Sequence, residues 1–310
     1  MQKTPLIILT GPTAVGKTDL SIKLSKELNA EIISADSMQI YKYMDVGSAK
    51  VTKDEMDGVK HYLIDEVTPD YPFSVSEFQE RANQYIEEIT ENGKKVLVTG
   101  GTGLYLNSLI YNMDFAKSDA NEELREKLRL ELEENGIDYM HNKLRELDSD
   151  AADRIHKNNT KRVIRALEVA LSGKKMNDFS NDLKINEKYK PIIIVLNRER
   201  EHLYERINKR VDIMMESGLI DEVKKLLEMG YTKDMISMQG IGYKEIIKYL
   251  DGEYSLDEAI EIIKRDSRRY AKRQLTWFRR YSDAKWFNLD EYNDSQVLEE
   301  DIIMHIEKML

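Results

Sequence analysis

The run Gly11-Pro12-Thr13-Ala14-Val15-Gly16-Lys17-Thr18 follows directly on the apolar stretch Leu6-Ile7-Ile8-Leu9 and has the composition of a phosphate cradle. Its glycines let successive backbone N–H groups converge on phosphate oxygens, Lys17 reaches the terminal phosphates as a point charge, and the Thr18 hydroxyl is placed to hold Mg²⁺. The apolar stretch before it predicts a buried strand, and Asp19-Leu20-Ser21-Ile22-Lys23-Leu24 after it predicts a helix. The chemistry is therefore binding of a di- or triphosphate. A second apolar run ends in Ser34-Ala35-Asp36-Ser37-Met38-Gln39, which puts Asp36 at the carboxyl end of a strand, where open α/β sheets gather their ligands. A carboxylate there is placed to take a proton from an acceptor lying opposite the phosphates, or to cap the following turn, or to order Mg²⁺ through water. Gly100-Gly101-Thr102-Gly103 follows a third apolar run; a tight turn accounts for its glycines, and Thr102 is its functional candidate. That third run, Val96-Leu97-Val98-Thr99, lacks the terminal Asp with which motor and switch ATPases order their metal-bound waters.

Three further segments are basic. Lys161-Arg162-Val163-Ile164-Arg165 predicts a helix with Arg162 and Arg165 on one face, able to grip phosphates or simply to face solvent. Leu203 to Arg210 pairs Arg206 with Arg210 one helical turn apart; either reaches the phosphate site or joins Glu201 and Glu205 in an exposed salt-bridging face. Between Arg265 and Tyr281 a helical wheel separates Tyr270, Ala271, Gln274, Leu275, Trp277, Phe278 and Tyr281, read as core packing, from Arg265, Arg268, Arg269, Lys272, Arg273, Arg279 and Arg280. So dense a cationic face on a chain of net charge -10 points to a phosphate-rich partner.

The elements that must hold these residues follow from the pattern. Apolar, β-branched runs at Leu6 to Leu9, Glu31 to Ser34, Val96 to Thr99 and Ile192 to Leu196 alternate with helical stretches, which predicts an α/β fold: a P-loop NTPase-like parallel sheet flanked by helices. Residues 116–183 turn to charged, helix-forming sequence with no convincing strand, so an all-helical domain is expected to interrupt a core made of residues 1–115 and 184–310. From Glu199 onward the chain reads almost entirely helical, with the basic helix at 255–281. The 310 residues include no cysteine, which excludes disulfides, thiol catalysis and cysteine-ligated zinc, and the five histidines lack metal-ligand spacing. No apolar run approaches a bilayer's thickness and no signal-peptide pattern opens the chain, so a soluble, cytoplasmic protein is expected.

Taken together, Gly11 to Thr18, Ser34 to Tyr41, Met44-Asp45-Val46-Gly47-Ser48-Ala49-Lys50 and Gly100 to Tyr105 closely resemble the bacterial tRNA dimethylallyltransferases, the IPP transferase family. Arg154-Ile155-His156, Lys161 to Val169, Gln239-Gly240-Ile241-Gly242-Tyr243-Lys244-Glu245 and Tyr270 to Phe278 extend the resemblance over nearly the whole chain. The resemblance implies transfer of a dimethylallyl group from dimethylallyl diphosphate to N6 of the adenosine 3′ to the anticodon, in tRNAs reading codons that begin with U. By that analogy Thr13, Ala14, Val15, Gly16, Lys17 and Thr18, with Mg²⁺ and Arg210, bind the prenyl diphosphate, while Asp36 accepts the N6 proton. The segment Asp36, Ser37, Met38 and Gln39, together with Thr102, Arg125 and Lys161, Arg162, Val163, Ile164 and Arg165, would contact the tRNA anticodon stem-loop, and the protein would act as a monomer. A P-loop kinase, with ATP in the cradle and Asp36 deprotonating a hydroxyl, is the alternative; it leaves the cationic helix and the motif order unexplained.

Overall fold

In the computed structural model, β1 (Thr4–Thr10) is followed by α1 (Lys17–Leu28), β2 (Ala30–Ser34), β3 (His61–Tyr62), α2 (Val75–Glu91), β4 (Lys95–Gly100) and α3 (Gly103–Ile110). Three helices come next, α4 (Glu122–Leu147), α5 (Ser149–Arg154) and α6 (Thr160–Leu171). The chain ends with β5 (Tyr189–Asn197), α7 (Arg200–Glu216), α8 (Leu219–Glu228), α9 (Tyr243–Leu250), α10 (Leu256–Phe278), β6 (Lys285–Asn288) and α11 (Ser295–Met309). The structure describes residues 3–113, 115, 122–174 and 183–310.

Leu6 to Leu9 have no exposed surface, and a continuous apolar run of this kind suits a strand covered on both faces. β1 accordingly lies inside a six-stranded sheet of order β3-β2-β4-β1-β5-β6, in which every neighbouring pair is parallel. Parallel pairing brings all the strand carboxyl ends to one edge, where the Gly11, Asp36 and Gly101 loops begin. Helices cover the sheet because each carries an apolar stripe: α2 buries Phe78, Ala82, Ile86 and Ile89 at helical spacing and starts at Ser74, whose hydroxyl accepts the Glu77 N–H. α10 is capped reciprocally by Ser255 and Glu258.

The chain divides into two units, Met1–Ile110 with Asn186–Leu310, and Tyr111–Ile185. Among its described residues the regular elements of the second are all helices, apart from the bridge between Tyr111 and Ile185 that joins its two ends, and its core gathers Leu128, Met140, Leu144, Ala151, Val163 and Leu167. The boundary expected after residue 115 falls on residues 116–121, which lie outside the described residues.

Two strands escaped the pattern. β3 is only His61–Tyr62, too short for any period to show. β6 is the exception in a stretch expected to be almost entirely helical after Glu199; Lys285-Trp286-Phe287-Asn288 is a short edge strand, and what makes it one is its pairing with Ile194 to Asn197 rather than its own sequence.

Candidate active site

The phosphate cradle is shaped by two left-handed residues, Ala14 (φ 62°) and Gly16 (φ 112°), which turn the chain into the first turn of α1. No side chain caps that helix, so its leading amides are available to an anion. Gly11 is required by close approach, since a Cβ there would sit 2.6 Å from the Leu196 carbonyl oxygen. Lys17 folds back over the loop and donates to the Gly11 and Pro12 carbonyls, each at 2.9 Å. Two arginines brace the outer side: Arg206 donates to the Ala14 carbonyl at 2.8 Å, and Arg198 donates to that of Val15 at 3.3 Å while bonding Asp290 at 2.5 Å. Arg206 thus serves the loop instead of the salt-bridging face that its neighbours allowed.

Asp36 begins the loop after β2. Its Oδ1 accepts the Met38 N–H at 2.9 Å, so it does cap the turn, and it also lines the cavity described below. The Thr102 hydroxyl accepts the Ser37 N–H at 3.1 Å and the Thr102 N–H donates to the Ala35 carbonyl at 3.1 Å, which ties the β4 loop to the β2 loop on either side of Asp36. The glycines of Gly100-Gly101-Thr102-Gly103 are not at positive φ, and close neighbours add a second demand to the tight turn expected of them. A Cβ at Gly100 would strike the Ala35 backbone, one at Gly101 the Gln274 amide, and one at Gly103 the Trp277 ring.

Gln274, which the helical wheel placed in an apolar face, links two loops of the site. Buried in α10, its Oε1 accepts the Thr13 N–H at 2.9 Å and its Nε2 donates to the Gly101 carbonyl at 3.0 Å, joining the phosphate cradle to the Thr102 loop. Tyr270, one turn earlier, lines the cavity described below. Only spatial proximity could reveal these roles, because no local period distinguishes a strut from a core residue.

Between these loops and helices lies a cavity of about 330 Å³. Thr13, Asp36, Arg210 and Arg273 are among its polar lining residues, and Ile207, Val211, Met214, Ile241 and Ile263 among its apolar ones. Asp36 is the only carboxylate among the lining residues. Burial, and then the neighbouring Arg210, push Lys17 down to about 7, with Asp36 opposing. Burial lowers Arg210 as well, opposed by Asp36 and reinforced by Arg206. Crowded cations that depress one another leave a site short of negative charge, which a bound anion supplies. Burial and the Asp36 charge push the Tyr270 phenol up to about 12, so it stays neutral.

The remaining sequence candidates fall in several places. Val15 is fully buried and offers only backbone, whereas Thr18 is exposed at the start of α1. The Gln39 side chain is engaged locally, accepting from Ser34 at 3.1 Å. In the helical unit Lys161 and Arg162 are exposed, whereas the Val163 and Ile164 side chains pack in that unit's core, so only the backbone of those two could take part in the expected tRNA contact. Arg165 and Arg125 converge on the buried Glu168 carboxylate at 2.9 Å and 3.2 Å. On the cationic face of α10, Arg273 reaches the cavity, Arg268 bonds Asn208 at 2.5 Å, and Arg265 and Arg269 pair with Asp266.

Among the described residues, no helix is long and apolar enough to cross a membrane, and no three His, Cys, Asp or Glu side chains group as a metal site. The Thr18 hydroxyl and Asp36 carboxylate are hard oxygen donors of the kind Mg²⁺ takes, and an ion resting mostly on substrate phosphates needs no protein cage. The residues present fit Mg²⁺ in that manner.

Fold and site together define a P-loop-type α/β protein in which residues of the anion cradle line one cavity with a strand-end carboxylate and several apolar side chains. The IPP transferase family model matches residues 39–281. A tRNA dimethylallyltransferase of Clostridioides difficile (strain 630) is 78% identical over 306 residues, covering 99% of this chain and 98% of the relative. Among solved structures, the full-length tRNA isopentenylpyrophosphate transferase of Bacillus halodurans aligns with a TM-score of 0.73 at 45% identity, over 99% of this chain and 98% of that one. A eukaryotic dimethylallyltransferase acting on tRNA aligns with a TM-score of 0.81 at 30% identity, over 97% of this chain and 80% of that one. This chain belongs to the IPP transferase family, and the kinase alternative gives way to tRNA prenylation.

Proposed function

We propose that the cavity transfers a dimethylallyl group from dimethylallyl diphosphate to N6 of the adenosine 3′-adjacent to the anticodon, in tRNAs reading codons that begin with U. The products are N6-(dimethylallyl)adenosine and diphosphate. The observation that carries this reading is a cavity lining that combines two arginines and a single carboxylate with several apolar side chains. A kinase needs no such apolar lining beside its base, whereas a branched five-carbon chain does.

The diphosphate lies on the amides of Thr13 to Thr18, with Lys17 leaving the Gly11 and Pro12 carbonyls to meet it and Arg210 beside it. The prenyl tail rests among Ile207, Val211, Met214, Ile241 and Ile263, which exclude water from the reacting carbon. Adenine N6 approaches from the Asp36 side. As the N6–C1 bond forms, the allylic C–O bond breaks and its electron pair leaves with the diphosphate. The N6 proton passes to the Asp36 carboxylate, which is needed because the amine's lone pair is delocalised into the ring. Mg²⁺, held by Thr18 and the phosphates, would neutralise charge on the leaving group. The target base is taken out of its stack to reach the cavity, and Arg162 and the cationic face of α10 would hold RNA phosphates. The protein acts as a cytoplasmic monomer.

The test is incubation with Mg²⁺, unmodified tRNA and either dimethylallyl diphosphate or ATP, followed by digestion and mass analysis of the nucleosides. Prenylated adenosine with the prenyl donor alone supports the reading. ATP consumption with a small acceptor, and no modified adenosine, contradicts it.

A further inference from the structure

The segment from Asp36 to Lys50 is secured at its far end by a carboxylate that the reaction does not use. Glu222, on α8, accepts three consecutive backbone N–H groups, from Asp45 at 2.8 Å, Val46 at 2.7 Å and Gly47 at 3.0 Å, and also the Tyr243 hydroxyl at 2.8 Å. Each carboxylate oxygen takes two of the four donors, which fills its lone-pair sites. The Tyr243 ring, fully buried at the start of α9, lies where a Cβ of residue 47 would have to be, so only glycine lets the loop sit this close. Inside the loop the buried Lys50 ammonium bridges the Tyr41 carbonyl at 2.7 Å, Asp45 at 2.6 Å and Asp65 at 2.5 Å. Gln39 reaches the Ala49 carbonyl at 3.4 Å. The far end of the segment returns to the cavity, which Gly47 and Ser48 line together with Asp36, Ser37 and Met38.

We propose that Glu222 is a positioning residue for the prenyl-transfer step: by gathering the 45–47 amides it fixes the Asp36–Lys50 segment against α8 and α9, and so sets where Asp36 and the cavity wall stand relative to the phosphate cradle. This rests on the function proposed above. A loop with three amides turned to one side needs a single acceptor of high capacity, and an ionised carboxylate makes shorter and stronger bonds to such donors than a neutral group does. Glu222 bonds nothing in the cradle, whose own supports are Gln274, Arg198 and Arg206. Its loss therefore moves the base and leaves the anion site in place.

Glu222→Gln tests this with little change in volume, because its NH₂ group faces amide N–H donors and at most one oxygen remains to accept. The full chain is assayed for prenyl transfer to tRNA, and its affinity for inorganic diphosphate with Mg²⁺ is measured by calorimetry. The expected result is a kcat lowered roughly 10–100-fold, the usual consequence of a misplacement of about 1 Å at the reacting atoms, with diphosphate affinity unchanged. Gly47→Ala, which drives the loop away from Tyr243 with Glu222 intact, should reproduce that split. Tyr243→Phe, which leaves all three loop amides paired, should lower kcat far less. Wild-type kcat in Glu222→Gln, or a parallel loss of kcat and diphosphate affinity, would overturn the proposal. A wild-type protein that makes no prenylated adenosine overturns the function reading itself, and this inference with it.

Discussion

Lys17 gives the account its most quantitative consequence. In the free protein, burial and Arg210 hold its ammonium near 7, so between pH 6 and pH 8 it goes from about nine-tenths charged to about one-tenth charged. A bound diphosphate supplies the opposite charge that the site lacks and favours the charged form, so binding takes up a proton above pH 7. If only the charged form binds well, the apparent dissociation constant rises about tenfold from pH 6 to pH 8, or about 1.4 kcal/mol. Calorimetry with inorganic diphosphate and Mg²⁺, in two buffers of different ionisation enthalpy, reads both the affinity and the proton count. Lys17→Met in the same series supplies the ligand's own titration as the baseline. The same shift has a stability consequence of fixed sign. Because the folded-state value lies below that of unfolded lysine, the unfolded chain binds more protons from about pH 7 up to the ordinary lysine range, and this group's contribution to stability rises with pH over that window. Lys17→Met should therefore raise Tm more at pH 6 than at pH 9. A wild-type affinity that parallels the Lys17→Met baseline across pH 6 to 8, with no buffer-dependent heat, would refute the reasoning.

Other perturbations separate the roles of the remaining groups. Asp36→Asn should lower kcat by about 10²–10⁴ while diphosphate binding persists, the range a positioned general base contributes; near-normal turnover would remove Asp36 from proton transfer. Gln274→Leu leaves the Thr13 N–H and the Gly101 carbonyl without their partner, at about 1–3 kcal/mol for each buried group, and should lower both Tm and diphosphate affinity; an unchanged Tm in calorimetric scans would contradict the strut. In the helical unit, Glu168→Gln removes the charge shared by Arg125 and Arg165, and a loss of about 1.5–3 kcal/mol by denaturant titration is expected; no loss would mean that the two ion pairs contribute nothing.

What could be read before folding was whatever is contiguous. The cradle is one unbroken run after a strand, and Asp36 ends the next strand, so their shared edge follows from parallel pairing alone. Gln274 lies 261 residues from the Thr13 amide it holds, and Glu222 175 residues from Gly47, and no local pattern relates residues so far apart. The glycines were half legible for a related reason: a tight turn and a close neighbour demand the same residue, and only the packed structure shows that the Gln274 amide and the Trp277 ring occupy the space. In Lys161 to Arg165 the helical period turns Val163 and Ile164 inward while Lys161 and Arg162 stay outside. β6 was missed because an edge strand of four residues owes its conformation to its neighbour.

The central claim is that a cradle built for phosphates releases diphosphate as the adenine amine across the cavity gains the prenyl group. A single-turnover experiment with enzyme in excess over labelled dimethylallyl diphosphate, unmodified tRNA and Mg²⁺, quenched at intervals, follows diphosphate and prenylated adenosine together. The account predicts that the two appear with one rate constant and in equal amounts, and that neither forms when tRNA is left out. Diphosphate released without tRNA, or ahead of the modified base, would contradict it.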